Sequence, residues 1–444
     1  MIAAICQTSS TRSFPLSWTL PWSFRVDIDY KDIPENYRLF LLAISLRSAK
    51  MRLLNVETRQ LEEFFHLRDP PSYAILSHTW GDAEVIFQDM KNGTSEKHPG
   101  YSKIDYACLQ AVKDGYHYVW IDTCCIDKSS SAELSEAINS MFRWYAQSRI
   151  CYAFLPDVDN LDDEFLDFVK DAHFEHDELD SFYSSQFFKS RWFTRGWTLQ
   201  ELLAPRKINF YGSSWKYLGN KGSLERCISI ITGIPKNALQ PPSNRFKPYL
   251  SMFSVADRMS WASSRETTRI EDIAYCLLGI FNVNMPLLYG EGANAFIRLQ
   301  EEIIKVSADH SIFLWDRRFS AGVFLAPHPH HFSSTRRILL YNGIYDFSAS
   351  PYAISNIGLS MTLPVWSPAP GVLACALACI FEDDARGLIA VTLIEGGRER
   401  ETLRVRQKKN SKTRSGCSAP RIGISSAPTG RLNMCSRVST GIGK

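Results

Sequence analysis

A chain of 444 residues with 45% hydrophobic and 12% aromatic content is long enough to bury more than one core, which excludes a disordered chain and points to roughly two domains. The net charge of +3 belongs to the tail. Residues 404–444 hold ten Lys/Arg and no Asp/Glu, which leaves 40 basic against 47 acidic residues in the body and speaks against nucleic acid as a partner. The 11 cysteines are scattered without zinc spacing, and no apolar run approaches the ~20 residues of a membrane span. Reduced, buried thiols in a cytoplasmic protein are the resulting expectation.

Residues 1–50 are rich in Ser, Pro and aromatics without periodicity and are expected to form a poorly ordered extension. From Ser72 strands and helices alternate. Tyr73–Ser77 is a short apolar strand, and Gly81 marks its exit. Ile104, Ala107, Cys108, Ala111 and Val112 then recur at helical offsets, with Gly115 placed for the C-cap. Tyr118–Ile121 reads as a buried strand. Ser130 and Glu133 fit a capping box for a helix whose stripe is Leu134, Ala137, Ile138, Met141, Phe142 and Tyr145. Ile150–Leu155 is a third strand, stopped by Pro156.

The segment Asp157–Asp180 carries eleven acidic residues against one lysine and reads as a solvated loop or exposed helix face. A short helix at Trp197–Ala204 and a strand at Ile208–Tyr211 follow. Such alternation implies a mostly parallel sheet covered by helices on both faces. A boundary is placed at the Pro-rich stretch 240–248. Beyond it the spacing predicts a helical segment over about 250–310, with a capping box at Thr268 and Glu271 and a stripe of Ile270, Ile273, Ala274, Leu277 and Leu278. Short β-rich runs dominate from 311 to 403, at Ser311–Trp315, Ile338–Tyr341, Leu373–Phe381 and Leu388–Ile394. The basic tail after 404 reads as disordered. The cluster His328-Pro-His-His331 is taken as loop rather than metal site.

Ligands of open parallel sheets bind beyond the carboxyl ends of the strands, where loops and helix N-termini converge. Three segments are expected at that edge: Ser77-His-Thr-Trp-Gly81, Asp122-Thr-Cys-Cys125, and Arg191–Glu201. The runs Tyr73-Ala-Ile-Leu-Ser-His-Thr-Trp-Gly81, Trp120-Ile-Asp-Thr-Cys-Cys-Ile-Asp127 and Arg195-Gly-Trp-Thr-Leu-Gln-Glu-Leu-Leu-Ala204 resemble, in order and spacing, the signature motifs of the fungal heterokaryon-incompatibility (HET) domain family. Met259–Arg265, Glu271–Phe281 and Met285–Gly292 resemble the helical segment that commonly follows that domain. The resemblance covers about 51–320, with the HET domain itself over about 51–240. It implies an α/β fold and a self/non-self recognition protein whose activation ends in cell death. No Gly-x4-Gly-Lys-Ser/Thr phosphate loop is present, so ATP-driven assembly is not expected within this chain.

More remotely, Trp197-Thr-Leu-Gln-Glu-Leu202 is similar to the Trp-Cys-x-x-Glu-Leu helix of Toll/interleukin-receptor-type (TIR) domains, with Thr198 standing where that pattern has Cys. In enzymatic TIR domains the glutamate belongs to a site that hydrolyses NAD. The likeness implies Glu201 as the catalytic carboxylate, NAD as substrate with no further cofactor, and Ser77, His78, Trp80, Gly81, Asp122, Arg195 and Trp197 as ligand-binding residues. Trp192 or Trp197 would flank a flat ring, and Arg195 would meet a pyrophosphate. Plainer roles stand beside these. Glu201 also fits a helix residue paired with Arg195 or Arg191, Asp122 fits a loop cap, and His78 fits a satisfied histidine at a strand end. Trp80, Trp120 and Trp197 fit core anchors. Ser77 and His78, adjacent on a strand, face opposite ways and make no hydrolase triad. The second reading of the whole is a non-catalytic module that signals through protein partners or self-association.

Overall fold

The structure is a computed structural model that describes residues 50–65, 70–161, 165, 179–240, 249–316, 324–333 and 337–341, followed by 353–355, 358–363, 365–369, 372–383, 387–394, 402–406 and 430–434. The presumed extension 1–49, the Pro-rich 241–248 and most of the acidic stretch lie outside the described residues.

Seven strands form the main sheet: β1 (Met51–Asn55), β2 (Leu61–Phe64), β3 (Tyr73–His78), β4 (Tyr118–Trp120), β5 (Ile150–Phe154), β6 (Ile208–Tyr211) and β7 (Tyr217–Asn220). Their spatial order is β2-β1-β4-β3-β5-β6-β7. The four central strands β4, β3, β5 and β6 are parallel, whereas β2 and β1 on one side and β7 on the other join antiparallel. All six residues of β3 are buried, as a strand covered on both faces requires, which is why its sequence is an apolar run rather than an alternation.

The helix Tyr101–Lys113 buries Ile104, Ala107, Cys108 and Ala111, while Val112, expected on that stripe, is 52% exposed. Gly115 leaves the helix at φ +78°, the left-handed exit its position predicts. Ser130 caps the helix Ser131–Gln147 by accepting the Glu133 N–H at 3.3 Å. The Glu133 carboxylate does not close the box; it accepts from the Asp127 N–H and from Arg52 on β1. Trp120 packs against Trp144 and Tyr145 of this helix, with ring centroids 5.5 and 5.8 Å apart, and fills the core below the sheet rim.

The helical segment contains Val255–Ser260, Asp272–Tyr275, Leu278–Phe281 and Asn294–Val306. The capping box expected at Thr268 and Glu271 is not made, and Ile270 is 55% exposed. Longer-range partners take both side chains: Thr268 accepts from the Arg195 guanidinium at 2.8 Å, and Glu271 accepts the Gly290 and Gly292 N–H groups at 2.8 and 3.1 Å. The run Ser311–Trp315 is likewise no strand. Asp309 accepts the Ser311 N–H at 2.8 Å and winds His310–Phe313 into a 3-10 turn.

Downstream, β8 (Ile338–Leu340) pairs with β13 (Cys379–Phe381). β9 (Ala353–Ser355), β10 (Gly358–Leu363) and β16 (Gly430–Met434) form a second group, and β11 (Val365–Ala369), β12 (Val372–Ala376), β14 (Gly387–Ile394) and β15 (Thr402–Arg406) a third, all antiparallel. Two of these strands, β15 and β16, lie at or within the basic tail. No described helix is long and apolar enough to cross a membrane.

Candidate functional site at the sheet switch point

After β3 the chain moves to one neighbour, β4, and after β5 it moves the other way, to β6. The carboxyl ends of β3 and β5 therefore flank the crevice where an open α/β sheet holds its ligands. Ser77 and His78 end β3, and Asp122 opens the short helix Asp122–Cys125 just after β4. Glu201 lies on the helix Trp197–Leu203, which packs on β3.

Alternation along β3 sends its last two side chains apart. Ser77 donates to the Glu201 carboxyl and accepts the Trp192 indole N–H at 2.8 Å. Glu201 is 7% exposed, and Trp192 is wholly buried. Burial lifts the Glu201 carboxyl to about 8; the bond from Ser77 opposes that rise, and the charge of Asp122 adds to it. Neither Arg195 nor Arg191 pairs with Glu201. The cation that acts on it is the buried Arg265 of the helical segment.

His78 faces the other way, its side chain fully buried between two carboxylates. Nε2 stands 3.6 Å from Glu84 and Nδ1 3.9 Å from Asp122, and neither ring nitrogen makes a hydrogen bond. It is thus a buried strand-end histidine, but not a satisfied one. Burial raises the Glu84 carboxyl, yet His78, Lys103 and the Gly81 N–H outweigh that and bring it down to about 2. Gly81 supplies its N–H at 2.6 Å. Trp80 is 52% exposed, so it is not a core anchor; Trp120, wholly buried, is. The Trp80 indole N–H donates to Asp122 at 3.0 Å, and Lys128 sits 3.6 Å above its ring centroid and 3.5 Å from the same carboxylate.

The rim thus unites His78, Trp80, Gly81 and Asp122, with the Ser77–Glu201 pair buried beneath it. It does not include the working ends of Arg195 and Trp197. The Arg195 guanidinium donates to Thr268, and the Trp197 indole N–H donates to Asp272 at 3.3 Å, both toward the helical segment. Two further backbone bonds join the same segments, Gly196 N–H to Glu266 O and Glu266 N–H to Thr194 O. Both side chains turn to the helical segment because the third motif packs against it, and the direction in which a side chain points cannot be read from its place in a motif. Glu84, Lys103 and Lys128 were missed. Their signal was an acidic residue three positions after Gly81 and a lysine one position after the second motif.

Fold and rim define a doubly wound α/β domain with a polar site at its switch point. Within that class, residues 73–201 match the family model described as Heterokaryon incompatibility protein (HET), so the chain carries a HET domain from the first residue of β3 to Glu201. It is also 50% identical over 238 residues to the Vegetative incompatibility protein HET-E-1 of Podospora anserina, a match that covers 53% of this chain and 16% of that relative. The chain therefore spans only a small part of the length of the curated relative it matches. No solved structure matches.

Proposed function

We propose that the chain is a vegetative-incompatibility protein whose HET domain is the death effector, acting by hydrolysis of NAD at the nicotinamide–ribose bond. The observation that carries this reading is the Ser77–Glu201 pair under the switch-point rim, a desolvated carboxyl held in fixed geometry by a serine and an indole. When the C–N bond breaks, its electron pair neutralises the pyridinium nitrogen, positive charge grows on the ribose, and water adds to the anomeric carbon with loss of a proton. A carboxylate beside that carbon stabilises the charge. Glu201 is mostly protonated when alone, and an adjacent cation favours its charged form, so ligand binding and ionisation reinforce each other.

The outer rim suits a nucleotide: Asp122 for ribose hydroxyls, Lys128 for a phosphate, and the exposed Trp80 face for a ring. Exposed contacts such as Trp80 with Asp122 and Lys128 are worth little individually, so a rim held by them opens at small cost. Clustering with partners or with itself is the event that opens it in this reading.

The test is nicotinamide release by the full chain with NAD under crowding, beside Glu201→Gln. The expected result is release that climbs as pH passes about 8 and drops by roughly a hundredfold or more in the variant, the loss typical of a removed transition-state contact. Release unaffected by the substitution would remove Glu201 from the reaction. A second reading, a non-catalytic assembly module, is favoured by the 7% exposure of Glu201 and its tie to Ser77, which also describe a strut between helix and strand. Loss of cell death in Glu201→Gln without any NAD turnover by the wild type supports that module.

A further inference from the structure

The helix Tyr101–Lys113 has two apolar sides, although a helix on the surface of a domain needs only one. Ile104, Ala107, Cys108 and Ala111 are buried beneath it. Tyr106, Leu109 and Val112 follow at every third residue along its outer side and are 37, 47 and 52% exposed. Single exposed apolar residues are ordinary, but these three line up as a ridge about 9 Å long at a helical rise of 1.5 Å per residue. The ridge is braced. Trp215, in the turn between β6 and β7, stacks on Tyr106 at 5.6 Å and on Tyr211 at 4.6 Å. It does so at φ +58°, in the left-handed region that a bulky residue rarely adopts, and with its indole N–H buried and unbonded. Strain kept at a surface position is a mark of function.

The charges beside the ridge say what covers it. Asp105 and Lys113 stand one helical turn before and one turn after Leu109, the acid half-exposed and the lysine exposed. Arg59 bonds Oδ1 of Asp105, which leaves the carboxylate lone pairs for a second cation. In two antiparallel helices related by a two-fold axis through Leu109, a residue lying a given number of places before Leu109 faces the one lying as many places after it in the other copy. Asp105 then meets Lys113 of the second copy on both sides of the axis, Tyr106 meets Val112, and Leu109 meets itself. A foreign partner has no reason to match that symmetry. We propose that this ridge is the contact between two copies of the chain, an antiparallel helix pair centred on Leu109 and oriented by two Asp105–Lys113 ion pairs. One helix per copy is a small interface, so the dimer is weak, with a dissociation constant on the order of 10–100 µM.

Sedimentation equilibrium of the full chain, from about 1 µM to about 500 µM, should show reversible exchange between monomer and dimer. Leu109→Glu, at an exposed position, should weaken the dimer at least about tenfold. Asp105→Lys and Lys113→Asp should each self-associate roughly tenfold more weakly, because each sets like charges opposite one another. An equimolar mixture of these two variants should recover the dimer, with both ion pairs restored in reverse. Circular dichroism checks that each variant is folded. Should Asp105→Lys, which also loses Arg59, fail to fold, Leu109→Glu and Lys113→Asp decide the matter. A chain that stays monomeric throughout the range, a dimer indifferent to Leu109→Glu or to Lys113→Asp, or no recovery in the mixture of folded variants overturns the proposal. This surface supplies the self-association invoked for opening the rim, but the readout is mass alone, so its failure leaves hydrolysis of NAD by Glu201 standing, and the converse holds as well.

Discussion

At pH 7 the Glu201 carboxyl holds its proton more often than not, because burial has raised it to about 8 from an ordinary 4.5. The folded protein therefore binds more protons than the unfolded chain between those values, and stability must fall as pH rises through that window. Its contribution is fully present below about 4.5 and gone above about 8. Glu201→Gln has no such proton to lose. The wild-type thermal midpoint should consequently decline more than the variant's between pH 5 and pH 8.5, by several degrees on a full-chain melt, as expected for a group shifted by more than a pH unit. Lys221, whose amine burial brings down to about 7, works in the opposite direction but is common to both proteins. Parallel slopes would mean that the carboxyl is not buried. The motif runs placed Glu201, Ser77 and Asp122 at one edge, but a desolvated carboxyl is a property of what surrounds it, and Tyr145 and Arg265 come from distant parts of the chain.

At the scale of elements, the period of apolar residues was legible because a helix or strand must bury one face whatever packs on it. The strands at Tyr73, Tyr118, Ile150 and Ile208 fall within a residue or so of expectation. Capping was less legible: Ser130 does cap its helix, but Thr268 and Glu271 are diverted to Arg195 and to the Gly290–Gly292 turn. Close helix approach was not legible at all. A Cβ on Gly279 would stand 2.1 Å from Phe142 Cβ, where the helix Leu278–Phe281 meets Ser131–Gln147. Gly279→Ala should accordingly lower the urea midpoint at unchanged m-value, at a cost of about 1–3 kcal/mol from overpacking. A Cβ on Gly196 would meet Thr267 Cγ2 at 2.5 Å, so the third motif needs its glycine for the helical segment's approach and not for a ligand.

Across the whole molecule, the HET domain and the helical segment behave as one folding unit. Arg265 is buried and donates to the Arg195 carbonyl at 2.8 Å and to Thr198 Oγ1 at 3.0 Å, and the Gly196 N–H donates to the Glu266 carbonyl at 2.8 Å. Residues 51–240 expressed alone would lose the partners of Arg195, Trp197 and Thr198 and uncover the helix that carries Glu201. That fragment should show no cooperative thermal transition by near-ultraviolet circular dichroism, in contrast to the full chain; a transition at the full chain's midpoint would refute the interlock. The sequence by itself determined the parallel α/β character, the chain order of the strands and the HET motifs, because periodicity and short motifs are local properties. Only the tertiary structure decided that Arg195 and Trp197 turn to the helical segment, that Glu201 lies under the rim bonded to Ser77, and that His78 stands between Glu84 and Asp122. Those facts depend on the direction of side chains and on desolvation, and both are set by residues far away along the chain.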